Sequence, residues 1–355
     1  MKNLAYRLLK LWIKSGLHLY YGRIKISGLE NVPKDKPVLF LPNHQGALMD
    51  VLLIVTDCRR KPYFLTRSDV FKNPTLERFF TFLQMLPIYR IRDGRDSLGK
   101  NQAVFERCTR LFRKNQAIVM FPEGNHNRER RVRPLSKGFT RILFKALNQA
   151  PNQEIYVVPV GLNYLKNDGF PDKVTLNYGQ SIQVNGLYDP NDKKSSVDRL
   201  KGIVSKHLQA LTTHVGDGAD YGTMIQKLDA LEVNYLNPLE TNAAIKAIRL
   251  RQGNRKEPSE TSLKSAPIKG VGGVVLKAIF ILLNFPVLVL WNLWVKPKVW
   301  EPEFTATLRF GFALLFYPIY YVALFVILAV FWSTIPSLFV IIGIFLLNRI
   351  YVSRG

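Results

Sequence analysis

The chain has little cysteine for a protein of 355 residues. Its two cysteines, Cys58 and Cys108, lie fifty positions apart, and neither belongs to a CxxC pair or to a Cys/His cluster. This spacing indicates neither a zinc site nor a disulfide framework. We therefore expect a domain without a metal ion that faces the reducing environment of the cytoplasm.

Acidic residues are also scarce, since 26 Asp and Glu stand against 50 Lys and Arg and give a formal net charge of +24. Such an excess favours an anionic partner, either nucleic acid or an acidic membrane surface. No nucleic-acid recognition motif is present, and the basic residues are spread along the flanks of apolar segments. A lipid bilayer is therefore the expected partner, and nucleic acid is not.

The first 23 residues contain no acid and no uninterrupted apolar run long enough for a signal peptide or a membrane span. Basic residues alternate there with leucines, tyrosines and Trp12. This mixture predicts that residues 1–22 form an amphipathic helix lying in the bilayer interface. The alternative is an ordinary helix that packs on the neighbouring domain.

Charge is missing altogether from residues 310–332, and residues 274–295 carry a single lysine. Both runs are long enough to span a bilayer, whereas a third run at residues 335–347 is marginal. Lys and Arg flank both ends of the last two runs, which predicts a transmembrane hairpin with both ends in the cytoplasm. Residues 274–295 are basic on both sides, so they form either a span or a re-entrant segment.

Between these apolar ends, strand-like runs alternate with helical patterns. This alternation predicts an α/β fold with a mainly parallel sheet flanked by helices at residues 23–185. We expect a helical extension at residues 186–252, a basic linker at 253–273 and a membrane module at 274–355. The predicted strands are residues 23–27, 38–41, 63–66, 85–89, 118–121, 155–160 and 174–178, and the predicted helices of the domain are 48–56, 75–83, 99–114 and 137–149.

Polar side chains follow several of these strands directly. Asn43 and His44 come after the run that ends at Leu41, and Glu123 and Gly124 come after the run that ends at Phe121. Ligands of open α/β sheets bind beyond the carboxyl ends of the strands. These residues therefore mark the expected site, although a single histidine in a turn is more often structural.

Two motifs, NHQGALMD and FPEG, resemble those of the glycerolipid acyltransferases, which include 1-acylglycerol-3-phosphate and glycerol-3-phosphate acyltransferases. The blocks SGLENVPKDKPVLF, LPIYR and VVPVGLNY stand in the order expected for this family, and the resemblance covers residues 20–185. It implies an integral membrane enzyme of phospholipid biosynthesis that takes its acyl group from acyl-CoA or acyl-carrier protein, without a cofactor. The expected acceptor is a glycerol-phosphate lipid, 1-acylglycerol 3-phosphate first.

His44 is the candidate base that removes the proton of the acceptor hydroxyl, and Asp50 is the candidate carboxylate that stabilises the resulting imidazolium. Six positions of straight helix would hold the two about 9 Å apart, so the chain near Gly46 must turn. The alternative is that Asp50 caps the helix that follows.

The acceptor phosphate calls for guanidinium groups. Arg90 and Arg92 are the leading candidates, with Arg128 and Lys137 next, and the resemblance places Asn43, Glu123 and Gly124 at the substrate site. Glu123 is expected to contact glycerol hydroxyls or to orient an arginine. The remaining cations of this region are expected to form a membrane-facing basic rim. They are Arg130, Arg131 and Arg133.

One departure concerns the acceptor. The usual family pattern has four residues between the histidine and the aspartate, whereas five separate His44 from Asp50. A subgroup of glycerol-3-phosphate acyltransferases has this longer spacing and a Ser-His-Asp-Arg-like run after FPEG, which residues 125–128 partly echo. Glycerol 3-phosphate and an aminoacyl lipid are therefore alternative acceptors. A non-catalytic lipid-binding protein is the alternative from a different class.

Overall fold

The computed structural model describes residues 2–71, 74–89, 99–216, 220–253, 271–299 and 301–355. At its centre lies an eight-stranded sheet with the strand order β1-β7-β6-β2-β5-β3-β4, in which β8 pairs with β6. The strands are β1 Tyr21–Ser27, β2 Val38–Pro42, β3 Tyr63–Arg67, β4 Met85–Ile88, β5 Ala117–Val119, β6 Tyr156–Tyr164, β7 Asp172–Tyr178 and β8 Ile182–Gln183.

Strands β2 to β6 run parallel to one another, whereas β7 is antiparallel to β6 and parallel to β1. The prediction of a mainly parallel sheet flanked by helices is confirmed. The bounds of the predicted strands agree with the structure to within about two residues, except that β6 continues to Tyr164. The carboxyl ends of β2, β5 and β6 therefore lie side by side at one edge.

Helices cover both faces of this sheet. Their bounds are α1 Lys2–Tyr20, α2 Leu48–Asp57, α3 Pro74–Phe82, α4 Asn101–Arg113, α5 Gly138–Gln149, α6 Lys193–Leu211, α7 Tyr221–Ala230, α8 Pro238–Gly253, α9 Val271–Leu283, α10 Phe285–Leu290, α11 Thr305–Phe331 and α12 Thr334–Arg354. Residues 254–270, most of the predicted linker, lie outside the described part of the chain.

Strand β2 shows why a continuous apolar run is needed at the centre. Leu39 and Leu41 pack into one core with α4, α5 and α6, while Val38 and Phe40 pack into the opposite core with α1 and α2. Successive side chains of a strand point to opposite faces, so both faces of β2 are covered. Helix α6 belongs to the first core through Leu200, Val204 and Leu208, although the sequence predicts it as part of an extension beyond residue 185.

Helix α1 has one face on the domain and one face exposed. Leu17 and Tyr20 are buried against the sheet, and Lys14 Nζ lies 2.8 Å from Asp57 Oδ1 of α2. The opposite side of the helix leaves a stripe of large apolar side chains uncovered, formed by Leu4, Leu8, Leu11, Trp12 and Leu19. The two expectations for this segment are therefore compatible, and its place in the bilayer interface stays a prediction.

Within the described residues, α11 and α12 are long and apolar enough to cross a membrane. Helix α12 exceeds the expected marginal length, because it continues past residue 347 to Arg354. The segments α9 and α10, with the turns that follow, form a pair bent by 81°. Asn284 stands at the break and Pro286 begins the second helix, where its ring prevents regular continuation.

Candidate active site

Asn43 anchors the loop that leaves β2. Its side-chain oxygen accepts a hydrogen bond from Leu162 N at 2.7 Å, and its amide nitrogen donates to Leu162 O at 3.0 Å. The side chain therefore extends the pairing of β2 with β6 by one residue and is buried. These bonds fix the start of the loop that carries the next residue, His44, and a contact between Asn43 and substrate stays a prediction.

His44 and Asp50 meet directly, with 2.8 Å between His44 Nδ1 and Asp50 Oδ2. Asp50 is fully buried, and its carboxylate also accepts from Gly46 N at 2.9 Å and from the Tyr164 hydroxyl at 2.5 Å. Burial raises the pKa of Tyr164 well above its usual value, so this hydroxyl keeps its proton and remains a donor. Three donors thus hold the carboxylate in place.

The turn expected near Gly46 brings the pair together. Met49 N donates to Gly46 O at 2.9 Å, and Ala47 has a φ of 47°, a left-handed value that a non-glycine residue seldom adopts. A Cβ at position 46 would lie 2.6 Å from the Tyr164 hydroxyl and 2.8 Å from Asp50 Oδ1. Only glycine fits there without displacing the carboxylate or its partner.

Asp50 also lies in the first turn of α2, next to the free N–H groups of that helix. No side chain caps the helix at Ala47. The bond from Gly46 N to Asp50 therefore serves the helix start as well as the His44 pair. The two interpretations of Asp50 given by the sequence are not exclusive.

The ring of His44 is held on further sides. It stacks on Phe121 with 3.9 Å between ring centroids, and the His126 ring meets it edge-on at 5.7 Å. The backbone carbonyl of His44 accepts from Asn127 N at 2.9 Å. Because Asp50 accepts at Nδ1, the other ring nitrogen, Nε2, is left as a proton acceptor.

Glu123 binds an arginine, which is one of the two roles expected for it. Its Oε2 accepts from Arg133 Nε at 2.8 Å, and Arg133 also donates to the Asn125 carbonyl. Burial raises the pKa of the Glu123 carboxyl, although Arg133 and His44 act in the opposite direction. Oε1 of Glu123 is buried and has no hydrogen-bond partner in the described chain. Gly124, with a φ of 76°, closes the turn through a bond to Phe121 O at 3.2 Å.

The expectation of a membrane-facing basic rim is wrong for Arg130 and Arg133. The Arg130 guanidinium stacks on Tyr235 at 3.8 Å and donates to Tyr164 O and Leu165 O, each at 2.8 Å. Arg133 is committed to Glu123. The side chain of the third cation, Arg131, forms an ion pair with Glu129 at 2.9 Å.

The predicted phosphate ligands are less well defined. Arg128 is exposed and pairs with Asp168, and Lys137 is exposed at the start of α5. Arg90 and Arg92 lie outside the described residues. Their role toward an acceptor phosphate therefore stays a prediction.

The part of the chain that carries this site is similar to a known protein family. A sequence profile of the family described as Acyltransferase matches residues 23–163. Residues 23–163 belong to the acyltransferase family. The match begins in β1 and includes His44, Asp50 and Glu123.

Two curated relatives are similar to parts of the chain. The chloroplastic 1-acyl-sn-glycerol-3-phosphate acyltransferase BAT2 of Brassica napus is 28% identical over 154 residues, 43% of this chain and 40% of that protein. Glycerol-3-phosphate O-acyltransferase 2 of Saccharomyces cerevisiae is 27% identical over 108 residues, 30% of this chain and 14% of that protein. The chain therefore matches less than half of the length of either relative.

A solved structure is also similar, the 1-acyl-sn-glycerophosphate acyltransferase PlsC of Thermotoga maritima. The two chains share 19% sequence identity at a TM-score of 0.41, and the similarity covers 58% of this chain and 80% of the other.

Two neighbours of the acyltransferase site were not singled out from the sequence. Tyr164 ends the VVPVGLNY block, and a polar residue that ends a buried strand was the available signal. Glu301, whose Oε2 lies 2.8 Å from His126 Nε2, is 175 positions away from it and gave no signal. Among the described residues, the potential ligand atoms of His126, Glu301 and Glu303 all lie within 4.8 Å of one another. The expected absence of a metal ion stays a prediction.

Proposed function

We propose that the protein is a membrane-bound O-acyltransferase. It transfers a fatty acyl group from acyl-CoA or acyl-carrier protein to the hydroxyl of 1-acylglycerol 3-phosphate and forms phosphatidic acid. The observation that carries this proposal is the His44–Asp50 contact at 2.8 Å, with Asp50 fully buried and held by two further donors. The family of residues 23–163 supports acyl transfer as the reaction.

The reaction follows from the chemistry of the pair. His44 Nε2 accepts the proton of the acceptor hydroxyl while its oxygen attacks the thioester carbonyl. Asp50 stabilises the imidazolium that forms, and it keeps the N–H on Nδ1. The tetrahedral intermediate then expels the thiolate, which takes the proton from His44 Nε2. The ester and the free thiol leave, and the histidine is neutral again.

The acceptor is expected to reach His44 from a bilayer. Exposed apolar side chains are present both on α1 and on the hairpin of α11 and α12. The turn between the two helices, around Trp332 and Ile335, is exposed. The start of α11 and the end of α12 contact the domain through Arg309 and Arg349. We propose that these surfaces hold the domain on the cytoplasmic face of a membrane, with the edge of the sheet that carries His44 turned toward the bilayer.

Glycerol 3-phosphate is the second candidate acceptor. The five residues between His44 and Asp50, and the echo at residues 125–128, favour it. Full-length protein should be given both acceptors, with labelled acyl-CoA or acyl-carrier protein, and the products identified by mass. Phosphatidic acid formed by the native protein and not by His44→Ala supports the first choice. Lysophosphatidic acid formed from glycerol 3-phosphate selects the second, and turnover by a folded His44→Ala variant refutes the mechanism.

A further inference from the structure

A second imidazole lies beside the one at the centre of the proposed site. The His126 ring meets the His44 ring at 83° with 5.7 Å between centroids, and it is almost wholly buried. Its Nε2 lies 2.8 Å from Glu301 Oε2. The ring also meets Phe304 edge-on, with centroids 5.3 Å apart. His126 is therefore held between the acyltransferase domain and a segment from the far end of the chain.

That segment is the root of the membrane hairpin. Pro302–Phe304 forms one helical turn that leads directly into α11 at Thr305. One turn further on, Arg309 donates to the Tyr20 hydroxyl at 2.8 Å and to Gly169 O at 2.9 Å. These bonds attach the start of the spanning helix to the domain, so the position of Glu301 depends on how the hairpin is seated.

We propose that Glu301 is a positioning residue of the active site. It holds His126 against His44 and so makes the membrane module a component of the acyltransferase site. The inference rests on the proposed function of His44 and adds to it a residue outside the 23–163 region.

His44 is held in four ways, and only one of them involves the membrane module. Asp50 fixes Nδ1, Phe121 supports one face of the ring, and Asn127 binds the backbone carbonyl. His126 supplies the fourth restraint, and its own orientation is fixed at Nε2 by Glu301. A catalytic imidazole that shifts by a fraction of an ångström loses alignment with the hydroxyl it must deprotonate. The effect of Glu301 should therefore fall on turnover.

The charge of the pair is compatible with this role. Burial lowers the pKa of His126, against the opposing influence of Glu301. A neutral His126 donates its N–H from Nε2 to the carboxylate. It then adds no positive charge next to His44, which must itself become positive during proton transfer.

Full-length variants at position 301 separate the effect of side-chain length from the effect of the carboxylate charge. Glu301→Gln keeps an acceptor oxygen at the same distance, whereas Glu301→Asp keeps the charge and withdraws the oxygen by one methylene. We expect Glu301→Asp and Glu301→Ala each to lower kcat about tenfold, as for the loss of one positioning hydrogen bond. Glu301→Gln should stay within about threefold of the native protein. KM for donor and acceptor should change by less than about twofold in all three.

Glu303→Ala is the matched control, since this carboxylate is two positions away and lies in the same cluster. It should leave kcat unchanged, and treatment with a chelator should do the same. Equal losses at positions 301 and 303, or a loss on chelation that Zn²⁺ or Mn²⁺ restores, would overturn the positioning role in favour of a metal site.

The outcomes also separate this inference from the proposed function. If Glu301→Ala and Glu301→Asp both match the native kcat while His44→Ala is inactive, the positioning role fails and the proposed function stands. If a folded His44→Ala variant is active, the proposed function itself fails. Thermal unfolding of every variant shows whether a loss of turnover reflects a loss of fold.

Discussion

Replacing Asp50 by asparagine removes the charge of the carboxylate while its hydrogen bonds can be kept. Oδ2 accepts from His44 Nδ1 and Gly46 N, whereas Oδ1 accepts from the Tyr164 hydroxyl. An amide nitrogen at the Oδ2 position would face the Gly46 N–H, donor against donor, so the amide oxygen should take this position. The amide nitrogen then faces the Tyr164 hydroxyl, which can rotate to accept its hydrogen bond.

The histidine should therefore keep its N–H on Nδ1 in Asp50→Asn, and the loss is that of the negative charge. Two unit charges about 4 Å apart attract by about 4 kcal/mol at an effective dielectric constant of about 20. His44 becomes positive only as it takes the proton, so this loss raises the barrier rather than weakening substrate binding. We expect kcat to fall about 10³-fold, at nearly unchanged KM.

This expected fall in kcat is smaller than the fall that a reversed histidine tautomer would cause. In serine-protease triads the corresponding asparagine costs about 10⁴-fold because the histidine adopts the wrong tautomer. Steady-state kinetics with labelled acyl-CoA measures the loss, and ¹⁵N shifts of the histidine ring, assigned with His44→Gln, report the tautomer. Two results would refute the reasoning. One is an Asp50→Asn variant that has the unfolding temperature of the native protein and retains kcat within about threefold of it. The other is a variant in which His44 carries its proton on Nε2.

Three further changes test other parts of the site and its setting. Gly46→Ala should abolish most turnover and destabilise the protein, because the added Cβ would lie 2.6 Å from the Tyr164 hydroxyl. The control is Gly202→Ala in α6, where the added Cβ meets open space, and thermal unfolding should show it to be neutral or stabilising by about 1 kcal/mol. Arg90→Ala or Arg92→Ala should raise the acceptor KM far more than the donor KM, and equal effects on both would remove the phosphate assignment. Single cysteines at Val299 and Ser353, in a chain without Cys58 and Cys108, should both be shielded from an impermeant thiol reagent in intact cells, and labelling of one of them alone would exclude the hairpin.

Local sequence was enough to predict most of the sheet and the contact at its edge. Buried strands such as β2 are continuous apolar runs, and a run that stops at Pro42 places His44 at a carboxyl end. The His44–Asp50 contact was also predictable, since both residues lie within one short turn and Gly46 permits that turn. Such features depend on neighbours in the sequence.

The roles of other side chains depended on partners far along the chain. Asn43 bonds to Leu162, 119 positions away, and Arg130 stacks on Tyr235 from the helical region beyond the sheet. The residue type of an asparagine does not show whether its amide is buried or exposed. A run of basic residues likewise does not show which of them form contacts with distant parts of the chain. The phosphate-binding and rim assignments were therefore weaker than the assignment of the His–Asp pair.

The division of the chain into a soluble domain and a membrane module is less complete than composition suggests. Ala306 and Phe310 of α11 are buried in the same core as Leu17 of α1 and Phe40 of β2. At the other end of the hairpin, Arg349 donates to Tyr21 O at 3.0 Å. Removing residues 271–355 would thus take side chains out of the core of the domain, as well as the two helices that could cross a membrane. Apolar composition marks the segments that can enter a bilayer, but it does not mark which of their residues pack on the protein. Helix α11, which is long and apolar enough to cross a membrane, also contributes Phe310 to the core of the domain. The chain just before this helix brings Glu301 to His126.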